Sequence, residues 1–145
     1  MTFSDDVESV LHRAYVAARE AGHAKITPEH IALELIVEDE TGTYLTRCGT
    51  DLVAVEARLW AYLGRLESNG GVEVETQPTP AFQRVVETAI RRTQADGREY
   101  VMVRDLFLAL IDERDSTASI AILEATREPQ VFEELRTRAV VQRER

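Results

Sequence analysis

"VLHRAYVAAREAGHAKITPEHIALELIVE", residues Val10–Glu38, lies without a gap over "VVETAIRRTQADGREYVMVRDLFLALIDE", residues Val85–Glu113, when the chain is shifted by 75 positions. Val10 meets Val85, Ala14 meets Ala89, Gly22 meets Gly97, Leu35 meets Leu110 and Ile36 meets Ile111. Apolar character also survives where identity fails, as at Leu11/Val86, Ile26/Val101 and Ile31/Leu106. A chain that repeats itself at a fixed offset is built from copies of one supersecondary unit, so two copies of a helical unit are expected.

Each copy opens with an apolar stripe at helical spacing: Val7, Val10, Leu11, Ala14 and Ala18 in the first, Phe82, Val85, Val86, Ala89 and Ile90 in the second. Gly22 and Gly97 end these helices, since glycine takes the left-handed conformation favoured just past a helix C-terminus. Thr27 then reads as an N-cap with Pro28 at the first helical position, where its missing N–H costs nothing. The second helix of each copy, "HIALELI" and "DLFLALI", is apolar on most faces and belongs at the centre of a bundle. A short helix around "TGTYLTRC" and an amphipathic one from about Asp51, with Leu52, Val55, Leu59, Trp60 and Leu63, complete the first copy. "STASIAILEA" and "PQVFEELRTRAV" complete the second. The fold class is therefore all-α, with about eight helices and no strand, in two pseudo-twofold-related four-helix repeats spanning about 5–66 and 79–141. The glycine- and proline-bearing stretch 67–78 is a loop that ends in a cap at Thr79.

Composition narrows the function classes. At 145 residues, 44% hydrophobic and 30% charged, the chain is one ordinary globular domain able to bury a core. A net charge of −9 argues against general nucleic-acid binding, which depends on clustered Lys and Arg. No apolar run reaches membrane-spanning length, and acidic residues stand where a signal peptide needs basic ones, so a cytoplasmic location is expected. Cys48 is the lone cysteine, so no disulfide framework is available, and it reads as a small buried residue.

"ITPEHIALELI" in the first copy, and "TQPTPAFQRVVETAI" opening the second, resemble the N-terminal domain of the Clp unfoldases, and most closely its ClpA branch. The resemblance covers about Asp5 to Val140. It implies a docking domain for adaptors and protein substrates, joined in the complete protein to ATP-hydrolysing rings that feed the ClpP peptidase. In that branch the adaptor is ClpS, which brings substrates with destabilising N-terminal residues. The sequence has no G-x-x-x-x-G-K-[ST] phosphate loop, so this polypeptide is expected to bind rather than catalyse, and to be monomeric once apart from a ring. A stand-alone Clp-repeat protein that modulates a Clp complex is the alternative.

The adaptor-contacting positions that the resemblance carries over are Glu29, Thr79 and Arg84. They sit at equivalent parts of the two copies, which would bring them to one face. His23, Glu29 and His30 are the only candidate metal ligands. No H-x-x-x-H or H-E-x-x-H spacing supports them, and Ala24 stands where ClpA relatives have an acidic residue, so neither metal nor other cofactor is expected. His30 aligns with Asp105 at the third helical position, where either can meet exposed N–H groups as a cap. His12 reads as a surface residue. One of Trp60 and Tyr62 is expected to face the core, and Arg91, Arg92 and the tail "RTRAVVQRER" read as solvated.

Overall fold

Ser4 and Thr79 at helix starts, and Gly22 and Gly97 at helix ends, recur as pairs across the 75-residue shift. The computed structural model describes residues 2–68 and 75–136. The first copy holds α1 (Asp5–Glu20), α2 (Pro28–Val37), α3 (Asp39–Arg47) and α4 (Leu52–Leu63). The second holds α5 (Pro80–Ala95), α6 (Val103–Asp112), α7 (Thr117–Ala125) and a last helical stretch that opens as a 3-10 turn, Pro129–Val131, and runs through 132–136. The all-α class and the two four-helix repeats are as expected. The tail from 137 onward, including most of "RTRAVVQRER", and positions 69–74 of the expected loop lie outside the described residues.

Local chemistry explains the boundaries. The Ser4 hydroxyl accepts from the Val7 amide at 3.2 Å to start α1, and Thr79 accepts from the Phe82 amide at 3.1 Å to start α5. Gly22 and Gly97 close these helices at φ 73° and 68°, a conformation in which a Cβ would be strained. α2 and α6 lie at the centre. Ile31, Ala32, Leu35 and Ile36 of the first, and every residue from Leu106 to Ile111 of the second, are buried, each large apolar side chain contributing about 1.5–3 kcal/mol. The final helical stretch is anchored by Phe132, whose ring meets Phe107 edge to face with centroids 5.2 Å apart.

One expectation fails: the chain does form strands. β1 (Thr2–Phe3) pairs in parallel with β4 (Tyr100–Val101), and β2 (Lys25–Ile26) pairs in parallel with β3 (Gln77–Pro78). These ladders are pseudo-twofold mates, because a shift of 75 carries Thr2–Phe3 onto Gln77–Pro78 and Lys25–Ile26 onto Tyr100–Val101. Both cross between copies. The Ser4 amide donates to the Val101 carbonyl and the Thr79 amide to the Ile26 carbonyl, each at 3.0 Å, so the capping residues extend the ladders. Thr76, assigned to loop by sequence, is buried and donates its hydroxyl to the His23 carbonyl at 2.9 Å.

Candidate docking site

The starts of α2, α5 and α7 converge on one depression of about 290 Å³. Glu29 enters it from α2, Thr79 and Arg84 from the start of α5, and Ser116 and Thr117 from the start of α7, with Tyr62 of α4 closing one side. Three helix N-termini aimed at one hollow favour acceptor groups there. The three residues singled out from sequence thus do share one place, drawn from both copies. Arg84 is the accessible one: its side chain is 58% exposed and donates through Nε to both carboxylate oxygens of Glu113, at 3.2 and 3.0 Å. The Thr79 hydroxyl oxygen serves as the α5 cap.

Glu29 differs from its expected role as a surface contact. It is 2% exposed, and its Oε2 accepts from the Ala118 amide at 2.9 Å, in the first turn of α7. A carboxylate of the first copy thus caps a helix of the second, where the helix dipole favours negative charge. Burial, and then this neighbouring carboxylate, push the Tyr62 phenol above its ordinary pKa. Glu29→Ala leaves the Ala118 amide without its buried acceptor, and about 2 kcal/mol of stability is expected to be lost in urea unfolding. A change within 0.5 kcal/mol, the range of ordinary surface substitutions, would show that the contact is dispensable.

The His23, Glu29 and His30 trio does not converge. Glu29 turns to α7, whereas His30 Nε2 lies 2.9 Å from His23 Nδ1. The His30 Nδ1 accepts from the Thr27 amide at 2.9 Å, as Asp105 Oδ2 accepts from the Met102 amide at 2.8 Å. The cap reading of His30 therefore holds at the atom level. With Nδ1 accepting, the proton of the neutral ring sits on Nε2 and is donated to His23 Nδ1. Burial, followed by the His23 ring, lowers the His30 pKa from 6.5 to about 4. Among the described residues no three His, Cys, Asp or Glu side chains gather as a metal site would require.

Other assignments are mixed. His12 is exposed as expected, and Cys48 is half-buried against the core at the end of α3 rather than fully enclosed. Neither Trp60 nor Tyr62 is a core residue: Trp60 is 57% exposed and Tyr62 is half-buried at the depression, since Val55, Leu59 and Leu63 already fill the inner face of α4. Arg91 is exposed, but Arg92 is half-buried, and burial followed by the nearby Arg136 lowers its pKa.

The chain is an all-α duplication whose two halves exchange strand pairs, with a polar hollow at the meeting of three helix starts. Residues 2–125 match the Clp repeat (R) N-terminal domain family, and the chain belongs to that family. It is 31% identical over 126 residues to the ClpA homolog protein of Fuscovulum blasticum, a match covering 85% of this chain and 16% of that relative. The chain therefore spans about a sixth of the length of this curated relative. The fold is shared with the Hsp104 N-terminal domain from Candida albicans, at a TM-score of 0.78 and 19% identity, covering 99% of this chain and 92% of that one. It is shared too with a structure described as a peptide from the SciI protein of the Sci1 type VI secretion system of enteroaggregative E. coli, at a TM-score of 0.73 and 18% identity, covering 94% and 89% of the two chains. Among the described residues no helix is long and apolar enough to cross a membrane.

Proposed function

We propose that this chain is the adaptor- and substrate-docking domain of a ClpA-like unfoldase, binding without catalysis of its own and passing proteins to ATP-driven rings and a ClpP-type peptidase in the cytoplasm. The observation that carries this reading is the convergence of both repeats on the Glu29, Thr79 and Arg84 hollow. Arg84 offers a planar fork for a partner's carboxylate or carbonyl groups, and Thr79 offers a hydroxyl beside it. Glu29 serves from behind by fixing α7 and with it Ser116 and Thr117. Family membership and the ClpA homolog relative support the same assignment.

Calorimetric titration of the chain with a ClpS-type adaptor tests it. One-to-one binding is expected, with Arg84→Ala weakening it about tenfold and Arg84→Glu more, as for a charged contact at the centre of an interface. No binding by the unaltered chain would sink the ClpA-branch reading. Binding indifferent to both Arg84 variants would move the adaptor elsewhere on the surface.

A further inference from the structure

The first repeat has an open groove where the second is filled. Between α1, α2 and α4 lies a hollow of about 250 Å³ walled by Ala17, Ala21, Leu33, Val37 and Trp60, with the His23–His30 pair at its base. The 75-residue shift carries Ala17 onto Arg92, Ala21 onto Asp96, His23 onto Arg98, His30 onto Asp105 and Val37 onto Asp112. Charged side chains, two of them arginines, thus replace two alanines, two histidines and a valine. They close on one another: Arg98 binds Asp105 and, at 3.3 Å, Asp96, and Arg136 reaches Asp112 at 3.2 Å.

The rim of the open groove is apolar in a way that self-packing does not explain. Val37 is 68% exposed and Trp60 57%. Val53, 80% exposed, precedes Trp60 by two helical turns on the same outer strip of α4. This helix is therefore apolar outside as well as inside, the pattern of a helix covered on both sides. Besides the two histidines, the polar groups at the groove are carboxylates: Glu34, which also pairs with Arg13 at 3.2 Å, and Glu56, which accepts from Trp60 Nε1 at 3.4 Å.

We propose that this groove docks an amphipathic segment of a partner protein, one that sets an apolar side chain between Val37 and Trp60 and an arginine or lysine against Glu34 and Glu56. The second repeat supplies the template for the cation, since the Arg136 guanidinium there meets Asp112, the counterpart of Val37, at 3.2 Å. Carboxylates at the groove, on a chain of net charge −9, select a basic segment over an acidic one. The groove shares no lining residue with the hollow at Glu29, Thr79 and Arg84, so it is a second docking surface.

Trp60 is the only tryptophan of the chain, so its emission reports on the groove directly. The probes are two synthetic amphipathic peptides with one leucine pattern, the first carrying arginine on its polar face and the second glutamate. The arginine peptide is expected to give a saturable blue shift of Trp60 emission, and the glutamate peptide none. Ala17→Arg combined with Val37→Asp copies the filled groove with no change in net charge and is expected to weaken binding at least about tenfold, as loss of a central contact does. Circular dichroism verifies that this variant keeps its helices, and Arg84→Glu, at the other hollow, is expected to leave the affinity unchanged. No shift with the arginine peptide, an equal shift with the glutamate peptide, or undiminished binding by the folded double variant would overturn the proposal.

Discussion

Replacing Arg98 with methionine is expected to lower the unfolding free energy by about 3–5 kcal/mol, the range for stripping one partner from a buried ion pair. Asp105 is fully buried on α6 and has two obligations: Oδ2 accepts from the Met102 amide at 2.8 Å, and both oxygens take the Arg98 guanidinium, with Nη1 to Oδ2 at 2.8 Å. Methionine keeps much of the arginine stem's packing but leaves the buried carboxylate without its partner. Adding Asp105→Asn to Arg98→Met should recover part of the loss, since the amide oxygen still caps the Met102 N–H and the stranded charge is gone. Urea unfolding of both variants measures this. A loss under about 1 kcal/mol in the single variant would mean that the pair contributes no more than an exposed bridge.

The second large effect is a pH dependence placed in the equivalent position of the first repeat. His30 is 3% exposed, its pKa falls from 6.5 to about 4 on folding, and its Nδ1 receives the Thr27 amide. Between these two values the unfolded chain binds a proton that the folded chain refuses. Stability therefore holds above about pH 6.5 and declines as pH falls toward 4, by about 3 kcal/mol over the whole window. His23 is the nearest titrating neighbour, and Glu34 and Glu56 line the same groove. His30→Asn offers an amide oxygen to the Thr27 N–H, as Asp105 does to Met102, without taking up a proton. The stability difference between the unaltered chain and this variant should move by about 3 kcal/mol from pH 7 to pH 4. A difference that stays constant with pH would show that His30 titrates normally.

Much of the architecture was legible because the repeat doubled every signal. A lone Gly22 or Thr27 is a weak boundary mark, but Gly97 at the same offset made the helix ends firm, and the His30/Asp105 alignment identified a cap before any geometry was known. The ladders escaped notice for a physical reason: a two-residue strand has no alternation to read, and its partner lies in the other copy. The partner of Glu29 is hidden from the sequence likewise. A glutamate in a first helical turn is ordinarily satisfied by its own helix dipole, whereas the amide that claims it is 89 residues away. The apolar positions of α4 lead one to expect Trp60 or Tyr62 at the core, but Val55, Leu59 and Leu63 are enough to seal the inner face.

The crossed ladders bear on how such a chain could arise. The strand that leads into each repeat, Thr2–Phe3 or Gln77–Pro78, finds its partner only in the opposite half. That is the bonding pattern of a domain-swapped homodimer whose two protomers have been fused end to end. A single repeat produced alone would carry an unpaired leader and an unpaired acceptor edge, and both would be met by a second copy of itself. Fusion removes the concentration dependence of that meeting. It also frees the two halves to differ, one holding a histidine pair and an open groove where the other holds a closed net of arginines and aspartates.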